Sequence, residues 1–257
     1  MRVLLTGGAG RIARALRPAL RDRVELLRLV DVEGVRAESE REEARVLDLA
    51  DAASTREAAD GMDAIVHLGA IPTEAAWERL LDANVRATFN VFEAARTTGV
   101  RRVVFASSNH ATGFYGRGES VSPRDRPRPD SLYGVSKVAG EALGSLYADK
   151  FGLEVVALRI GAFSDEPPDG PSRPMWLSPA DAFRLVWAAL SARGVGFEIV
   201  YGFSKTGATW WDNEAAAQRV GFEAAAALDL AGGDPHGERP QGYPYTERDF
   251  HGASAEG

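Results

Sequence analysis

Short apolar runs alternate with amphipathic segments of helical length through the first 160 residues. Runs of strand length occur at residues 2–6, 24–31, 46–49, 63–69, 102–107 and 154–160. Segments whose apolar residues recur three or four positions apart lie between them, at 11–20, 54–60, 77–98 and 132–151. Nearly continuous apolar strands that alternate with helices are typical of a parallel sheet covered on both faces. We therefore predict an α/β fold of the Rossmann type, with a doubly wound parallel sheet.

The pattern changes after Ile160. Pro-rich and polar stretches separate only a few predicted elements, namely a helix at 179–192, a strand at 197–201 and helices from about 212 and at 223–230. These elements are too few for an independent domain. We predict three parts, which are a core at 1–160, a small substrate cap integrated with it at 161–232, and an extended or disordered polar tail at 233–257.

Composition narrows the range of functions. The chain has 30 Lys and Arg against 37 Asp and Glu, a formal net charge of −7, no cysteine and four scattered histidines. An acidic surface opposes binding to phosphate backbones, so we expect no nucleic-acid partner. Without cysteines, and without ligand spacing among the histidines, we expect no metal site. No apolar stretch approaches the roughly 20 residues that cross a bilayer, and we expect a cytoplasmic protein without a membrane partner.

A glycine-rich turn follows the first predicted strand. Gly7 and Gly10 permit a tight turn and a close approach of the backbone to a ligand, and the predicted helix begins at Arg11 and Ile12. The N-terminus of a helix offers N–H donors and a positive dipole to a pyrophosphate. Asp31 ends the second strand, where a carboxylate binds both ribose hydroxyls of NAD and repels the 2′-phosphate of NADP. The sequence therefore predicts an NAD site.

Further cofactor contacts are predicted where the next two strands end. Asp48 and Leu49 lie where the third strand ends, and we expect them to contact the adenine. The small residues of Leu68-Gly69-Ala70 follow the fourth strand and leave room for the dinucleotide. We interpret His67, one residue earlier, as a packed residue.

A candidate catalytic set lies at the same edge of the sheet. Tyr133 and Lys137 are four residues apart at the start of a predicted helix and so share one face. A tyrosine with a pKa near 10 needs a lowering of about 3 units to act as a base, and a neighbouring ammonium acts in that direction. Ser108 follows the strand at 102–107. Together with nicotinamide, these three side chains predict a site for proton and hydride transfer.

The chain resembles the extended short-chain dehydrogenase/reductases, also called the NAD-dependent epimerase/dehydratase family. The resemblance covers residues 1 to about 230 and rests on T-G-x-x-G-x-x-A, Asp31, Asp48-Leu49, H-L-G-A, Asn84, S-S-N-H and Y-G-V-S-K. It implies that Tyr133 is the base, that Lys137 binds the nicotinamide ribose and lowers the Tyr133 pKa, and that Ser108 binds the reacting oxygen. It also implies that Asn84 holds a proton-relay water, and that a homo-oligomer forms through the helices at 77–98 and 132–151.

A narrower similarity, to uronate dehydrogenases, rests on F-A-S-S-N-H, R-P-D-S-L-Y and W-W-D-N. It implies oxidation of the anomeric carbon (C1) of a uronate to an aldarolactone. The segments M-W-L-S and E-I-V-Y-G are equally similar to NAD-dependent glucose-6-phosphate dehydrogenases, so a hexose or hexose-6-phosphate 1-dehydrogenase stays an alternative. Less favoured are a nucleotide-sugar epimerase or dehydratase, which needs a larger cap, and a silent NAD-binding module.

Sugar contacts are expected from both the core and the cap. A buried carboxylate needs a cation, and Arg173 in the Pro-rich loop is the candidate. Asn109 and His110 offer donors and acceptors to sugar hydroxyls, beside Ser108 and Tyr133.

Two positions depart from the uronate dehydrogenases. Pro72 and Ala162 stand where those enzymes have serines that contact the substrate. Thr73 is the candidate to replace the first hydroxyl, and no obvious residue replaces the second. We interpret the paired Trp210 and Trp211 as packing rather than as a sugar platform.

Overall fold

The computed structural model describes residues 1–206, 210–228, 239–248 and 250. Within these residues seven parallel strands form the central sheet: β1 (Arg2–Thr6), β2 (Leu26–Asp31), β3 (Glu42–Val46), β4 (Ala64–His67), β5 (Arg102–Ser108), β6 (Glu154–Ile160) and β9 (Phe197–Gly202). Their order across the sheet is β3-β2-β1-β4-β5-β6-β9. A separate small pair joins β7 (Ala162–Phe163) to β8 (Trp176–Leu177).

Helices cover both faces of the sheet. One apolar core lies beneath α1 (Arg11–Arg21) and α6 (Pro179–Ser191). The other lies beneath α2 (Ala52–Ala59), α4 (Ala87–Thr98) and α5 (Leu132–Phe151). The doubly wound parallel sheet that the apolar pattern predicts is thereby confirmed. In the described part of the chain, no helix combines the length and hydropathy that crossing a bilayer requires.

Two predicted elements of the core differ in detail. The third strand is Glu42–Val46 rather than 46–49, because an edge strand can be polar, and here the buried Glu42 pairs with Arg17 at 2.7 Å. The helix expected at 77–98 is interrupted. It consists of α3 (Trp77–Leu80), a π-helical segment (Leu81–Arg86) and α4.

The region beyond Ile160 also differs from the predicted cap. Strand β9 pairs with β6, and α6 covers the sheet, so both belong to the central sandwich. The last regular helix is α7 (Glu214–Val220). Residues 223–228 are not helical, because the buried carboxylate of Asp181 accepts the backbone N–H groups of Ala225 and Ala226. Tertiary contacts outweigh the helical preference of alanine there.

Part of the expected tail is folded. Gln241 is buried, its Oε1 accepts the indole N–H of Trp211 at 3.0 Å, and its Nε2 donates to the carbonyl of Gly116 at 3.0 Å. The expectation of an extended or disordered tail is therefore wrong for residues 239–248. Residues 233–238, 249 and 251–257 lie outside the described part of the chain.

Candidate active site

A cavity opens where the strand order reverses, between β1 and β4, at the carboxyl ends of the strands. Its volume is about 610 Å³. One end is formed by the glycine turn after β1 and the other by Ser108, Tyr133 and Lys137. Open parallel sheets bind ligands at such a switch point, so the position alone marks this cavity as the candidate site.

The glycine turn brings two strand ends together. Gly7 has a φ of 68°, and a Cβ placed on it would lie 2.8 Å from the backbone nitrogen of Gly69. Gly10 is the N-cap of α1 and leaves the first N–H groups of the helix without a side-chain cap. Arg11 and Ile12 line the cavity beside them. The backbone cradle and the helix N-terminus fit a pyrophosphate.

Asp31 lies at the cavity wall as predicted. Its carboxylate accepts the N–H of Ala9 at 2.9 Å, which ties the glycine turn to the end of β2. Lone pairs remain on both oxygens for vicinal ribose hydroxyls. Arg28, on the same strand, is buried and pairs with Glu43 at 2.7 Å, and Val32 follows Asp31 in the cavity wall. This arrangement suits the ribose of NAD rather than a 2′-phosphate.

The other predicted cofactor residues also line the cavity, namely Asp48, Leu49, Leu68, Gly69 and Ala70. His67 lies beneath them, where the Thr6 hydroxyl lies 2.8 Å from Nδ1 and the Thr88 hydroxyl 3.1 Å from Nε2. Burial lowers the pKa of His67 to about 3. A neutral, fully packed histidine matches the role that the sequence predicts for it.

The predicted catalytic side chains meet at the opposite end of the cavity. Tyr133 and Lys137 are both buried, with the ammonium nitrogen 5.5 Å from the centre of the phenol ring. Ser108 lines the same end of the cavity, close enough to the phenol to lower its pKa by hydrogen bonding. Lys137 donates to the carbonyl of Ala106 at 2.9 Å, which fixes the ammonium against the end of β5.

Burial dominates the electrostatics of this group. It raises the pKa of Tyr133, and the hydrogen bond with Ser108 opposes the rise. Burial lowers the pKa of Lys137 to about 8, because a charged ammonium loses hydration. The net lowering of the Tyr133 pKa that we expected from Lys137 is therefore not produced by these side chains alone.

The first turn of α5 is fixed from two directions. Ser131 is the N-cap, and its hydroxyl accepts the N–H of Gly134 at 3.0 Å. The carboxylate of Glu74 accepts the N–H of Tyr133 at 2.8 Å and that of Leu132 at 3.2 Å. The sequence carries no local signal for Glu74, since it belongs to a loop far from this helix along the chain.

Asn84 is buried and joins two elements beside the cavity. Its side-chain oxygen accepts the N–H of Ile71 at 2.8 Å, and its nitrogen donates to the Ile71 carbonyl at 3.1 Å and to the Ser136 hydroxyl at 3.0 Å. It is not among the described residues that line the cavity. These bonds make Asn84 a support for the loop after β4 and for α5, and its role toward a relay water stays a prediction from the resemblance.

The two residues after Ser108 line the same end of the cavity, which we call the sugar end because the sequence predicts sugar contacts there. His110 holds the buried carboxylate of Asp130 through Nδ1 at 2.8 Å, and Asp130 also accepts the hydroxyl of Ser131 at 2.8 Å. Asn109 is buried, with its nitrogen 3.5 Å from the sulfur of Met175. Asp130 thus fixes the His110 ring and leaves Nε2 for a ligand.

Two predicted sugar contacts are not brought into the cavity wall. Thr73 instead places its hydroxyl 2.8 Å from that of Tyr245. The Arg173 guanidinium lies 3.9 Å from Asp169 with 39% of its side chain exposed, although the neighbouring Ser172 lines the cavity. Pro72 and Ala162 do line the cavity.

Residues of the C-terminal segment complete the sugar end, which the sequence did not predict. Tyr243, Pro244 and Tyr245 line the cavity, and the Tyr245 ring lies 3.9 Å from that of His110, centre to centre. The only hint in the sequence is the presence of aromatic residues in a polar stretch. Trp211 is buried and stacks on Tyr201 at 4.8 Å, a packing role as predicted.

A Rossmann crevice with a phosphate-binding glycine turn at one end and a Ser–Tyr–Lys group at the other defines an oxidoreductase that uses a nicotinamide dinucleotide. The chain belongs to the NAD dependent epimerase/dehydratase family, whose model matches residues 3–174. The predicted family is confirmed, and the protein is an NAD-dependent oxidoreductase.

Individual relatives agree with this assignment. Uronate dehydrogenase of Pseudomonas syringae pv. tomato is 43% identical over 84% of this chain and 79% of its own length. NAD-dependent glucose-6-phosphate dehydrogenase of Haloferax volcanii is 36% identical over 86% of this chain and 92% of its own. A crystal structure of a uronate dehydrogenase variant from Agrobacterium tumefaciens, complexed with NAD, matches with a TM-score of 0.89 and 37% identity, covering 95% of this chain and 96% of that one.

Proposed function

We propose that the protein oxidises the anomeric carbon of a uronate with NAD and forms an aldarolactone. The observation that carries the proposal is the grouping of Ser108, Tyr133 and Lys137, all buried, at one end of a crevice whose other end fits a dinucleotide. Similarity to uronate dehydrogenases over most of the chain supports the substrate class.

Tyr133, Ser108 and Lys137 have separate roles in the oxidation of C1. The glycine turn and Asp31 would hold NAD, which would supply the acceptor for the hydride that leaves C1. Tyr133 removes the proton of the anomeric hydroxyl as a phenolate, and Ser108 donates a hydrogen bond to the same oxygen as it becomes a carbonyl. Lys137 keeps its charge at neutral pH, because its pKa is about 8, and that charge favours the phenolate. Loss of one proton and one hydride turns a cyclic hemiacetal into a lactone, since the ring oxygen stays attached to C1.

The lining of the sugar end favours a second candidate substrate, a neutral aldose. Its described lining includes Asn109, His110 and Ser172, all polar and none of them permanently cationic. Arg173 remains our candidate for the carboxylate of a uronate. It directly follows Ser172, its side chain is 39% exposed, and its guanidinium lies 3.9 Å from Asp169.

A substrate panel tests these two candidates. The initial rate would be measured with each of five sugars, namely galacturonate, glucuronate, arabinose, glucose and glucose 6-phosphate. Each sugar would be tested with NAD and with NADP, and the absorbance of the reduced dinucleotide would be followed. We expect uronates with NAD to give the highest kcat/KM. Arg173→Met should raise the KM for uronates and leave that for neutral aldoses unchanged, with the exposed Arg193→Met as control. A higher kcat/KM for arabinose or glucose than for both uronates would favour the neutral-aldose function.

We also propose a homo-oligomer, formed through the helices at 77–98 and 132–151. These helices expose apolar side chains, namely Trp77, Leu81, Phe89, Leu132, Val135 and Leu146. Burial of such a face between copies stabilises association. Light scattering should show more than one copy per particle, and Phe89→Asp should reduce the mass. A monomeric wild type would contradict the proposal. The cytoplasmic location stays a prediction from the sequence.

A further inference from the structure

The C-terminal segment 240–245 is fixed to the core by polar contacts. The N–H of Gln241 donates to the carbonyl of Tyr115 at 2.8 Å, and that of Gly242 donates to the carbonyl of Gly113 at 2.8 Å. The buried side chain of Gln241 adds the contacts with Trp211 and Gly116. These bonds fix the position at which the segment reaches the cavity.

Gly242 brings the segment against the Asp130–His110 pair. A Cβ on Gly242 would lie 1.6 Å from Asp130 Oδ2, the oxygen that binds His110 Nδ1. No other residue fits at this position without displacing that carboxylate. The segment and the sugar-facing histidine are therefore packed as one unit.

Tyr245 extends from this unit into the cavity wall. Its ring lies between those of His110, at 3.9 Å, and Phe250, at 4.3 Å, centre to centre. Its hydroxyl lies 2.8 Å from that of Thr73. Two aromatic rings pack against Tyr245, so its hydroxyl is the polar group that it offers to a ligand.

The position relative to the base sets which part of a sugar Tyr245 meets. The rings of Tyr133 and Tyr245 are 6.5 Å apart, a separation comparable with the width of one sugar ring. Both phenols therefore lie at the same end of the cavity. On that side of the cavity Pro72 offers no hydrogen-bond donor.

We propose that Tyr245 is a substrate-binding residue whose hydroxyl, held by Thr73, binds the sugar hydroxyl on the carbon next to C1. Thr73 then acts through Tyr245 as a positioning residue. This inference rests on the proposed function, because it assumes a sugar with C1 at Tyr133.

The test removes single hydroxyls. Tyr245→Phe keeps the ring and should lower kcat/KM for the preferred uronate about tenfold, mainly through KM, because one hydrogen bond to the substrate is lost. Tyr147→Phe is the matched control, since the Tyr147 hydroxyl binds Glu93 and Tyr147 does not line the cavity. NAD affinity, measured by titration calorimetry, should be the same in all three proteins.

Two further comparisons make the test specific. With the 2-deoxy analogue of the same sugar, wild type and Tyr245→Phe should have equal kcat/KM, because the hydroxyl that Tyr245 binds is absent. Thr73→Val should also lower kcat/KM. In the double variant, the fold-decrease in kcat/KM should be smaller than the product of the fold-decreases in the two single variants.

The outcomes separate this inference from the proposed function. If the wild type oxidises uronates and Tyr245→Phe matches it, or if the variant loses as much on the 2-deoxy sugar, the role of Tyr245 is overturned and the function stands. If the wild type oxidises none of the sugars, the proposed function fails and the role of Tyr245 fails with it.

Discussion

The carboxylate of Glu74 accepts the backbone N–H of Tyr133 at 2.8 Å, so a loop after β4 caps the helix that carries the base. The same loop is held by Asn84 at Ile71. The wall of the cofactor crevice and the catalytic helix are thereby joined by side chains distant in sequence. The position of the phenol consequently depends on a residue that is not among those lining the cavity.

Replacing Glu74 should slow the reaction without weakening NAD binding. Glu74→Ala removes two charge-assisted bonds at a helix N-terminus, and we expect the free energy of unfolding to fall by about 1–2 kcal/mol. The kcat should fall several-fold, and Glu74→Gln, which keeps one acceptor oxygen, should restore part of it. Glu78→Gln, on the exposed start of α3, is the control. An unchanged kcat in Glu74→Ala would show that the cap has no catalytic consequence.

Tyr133→Phe should abolish most turnover while NAD still binds, because the variant lacks the group that takes the proton. A positioned acid–base group contributes about 10²–10⁴-fold. Ser108→Ala should lower turnover less than Tyr133→Phe does, because it removes only one hydrogen bond to the developing carbonyl. Steady-state kinetics and NAD titration of both variants check this. Full turnover by Tyr133→Phe would refute the catalytic assignment.

Two glycines with similar backbones provide a matched pair. Gly7 and Gly99 have φ values of 68° and 79°, but a Cβ on Gly99 meets nothing within 4 Å, whereas one on Gly7 meets the backbone at Gly69. Both alanine variants carry the same left-handed strain, of about 1 kcal/mol. Gly7→Ala alone should also lose NAD affinity, measurable by titration. Equal affinities in the two variants would mean that the close approach is unimportant for binding.

Lys137 should make stability depend on pH in a defined direction. Its pKa is about 8 in the folded protein and near 10.5 when unfolded, so between these values the unfolded chain binds more protons and folding becomes more favourable as pH rises. Relative to that of Lys137→Met, the free energy of unfolding of the wild type should rise by about 2 kcal/mol between pH 7 and pH 10.

Urea unfolding of both proteins at the two pH values measures this gain, with the exposed Lys150→Met as control on the same helix. A constant difference between wild type and Lys137→Met would show that the pKa of Lys137 is not lowered.

Asp31 should determine which dinucleotide is used. Asp31→Asn keeps an acceptor for the N–H of Ala9 but loses the charge that repels a 2′-phosphate. We expect NAD affinity to fall about tenfold and the preference for NAD over NADP to shrink. Kinetics with both dinucleotides would show it, and an unaltered preference would contradict the assigned role. The exposed Asp22→Asn serves as control.

Much of the sheet and of the cofactor half was predictable because the signals are local. Each of these signals, such as Gly7 after β1 and Tyr133 at the start of α5, combines an apolar run with a polar motif directly beside it. Parallel strands then bring the motifs to one edge without further information. The third strand was misplaced because Glu42–Val46 lies at the edge of the sheet and carries few apolar residues.

The sugar half was less predictable because its contacts join distant residues. Nothing near Gln241 or Gly242 in the sequence indicates that they pack against Trp211 and Asp130. The alanines at 223–228 favour a helix, but the buried carboxylate of Asp181 accepts hydrogen bonds from the N–H groups of Ala225 and Ala226. Such long-range polar contacts leave no periodic pattern.

The docking of segment 240–245 sets an order of events during synthesis. A ribosome releases the glycine turn, Asp31 and the Ser–Tyr–Lys group long before it releases Tyr245. A dinucleotide crevice that forms on the nascent chain therefore lacks its opposite wall until this segment emerges, and a dinucleotide bound at that stage would stabilise the sheet before the sugar site is complete.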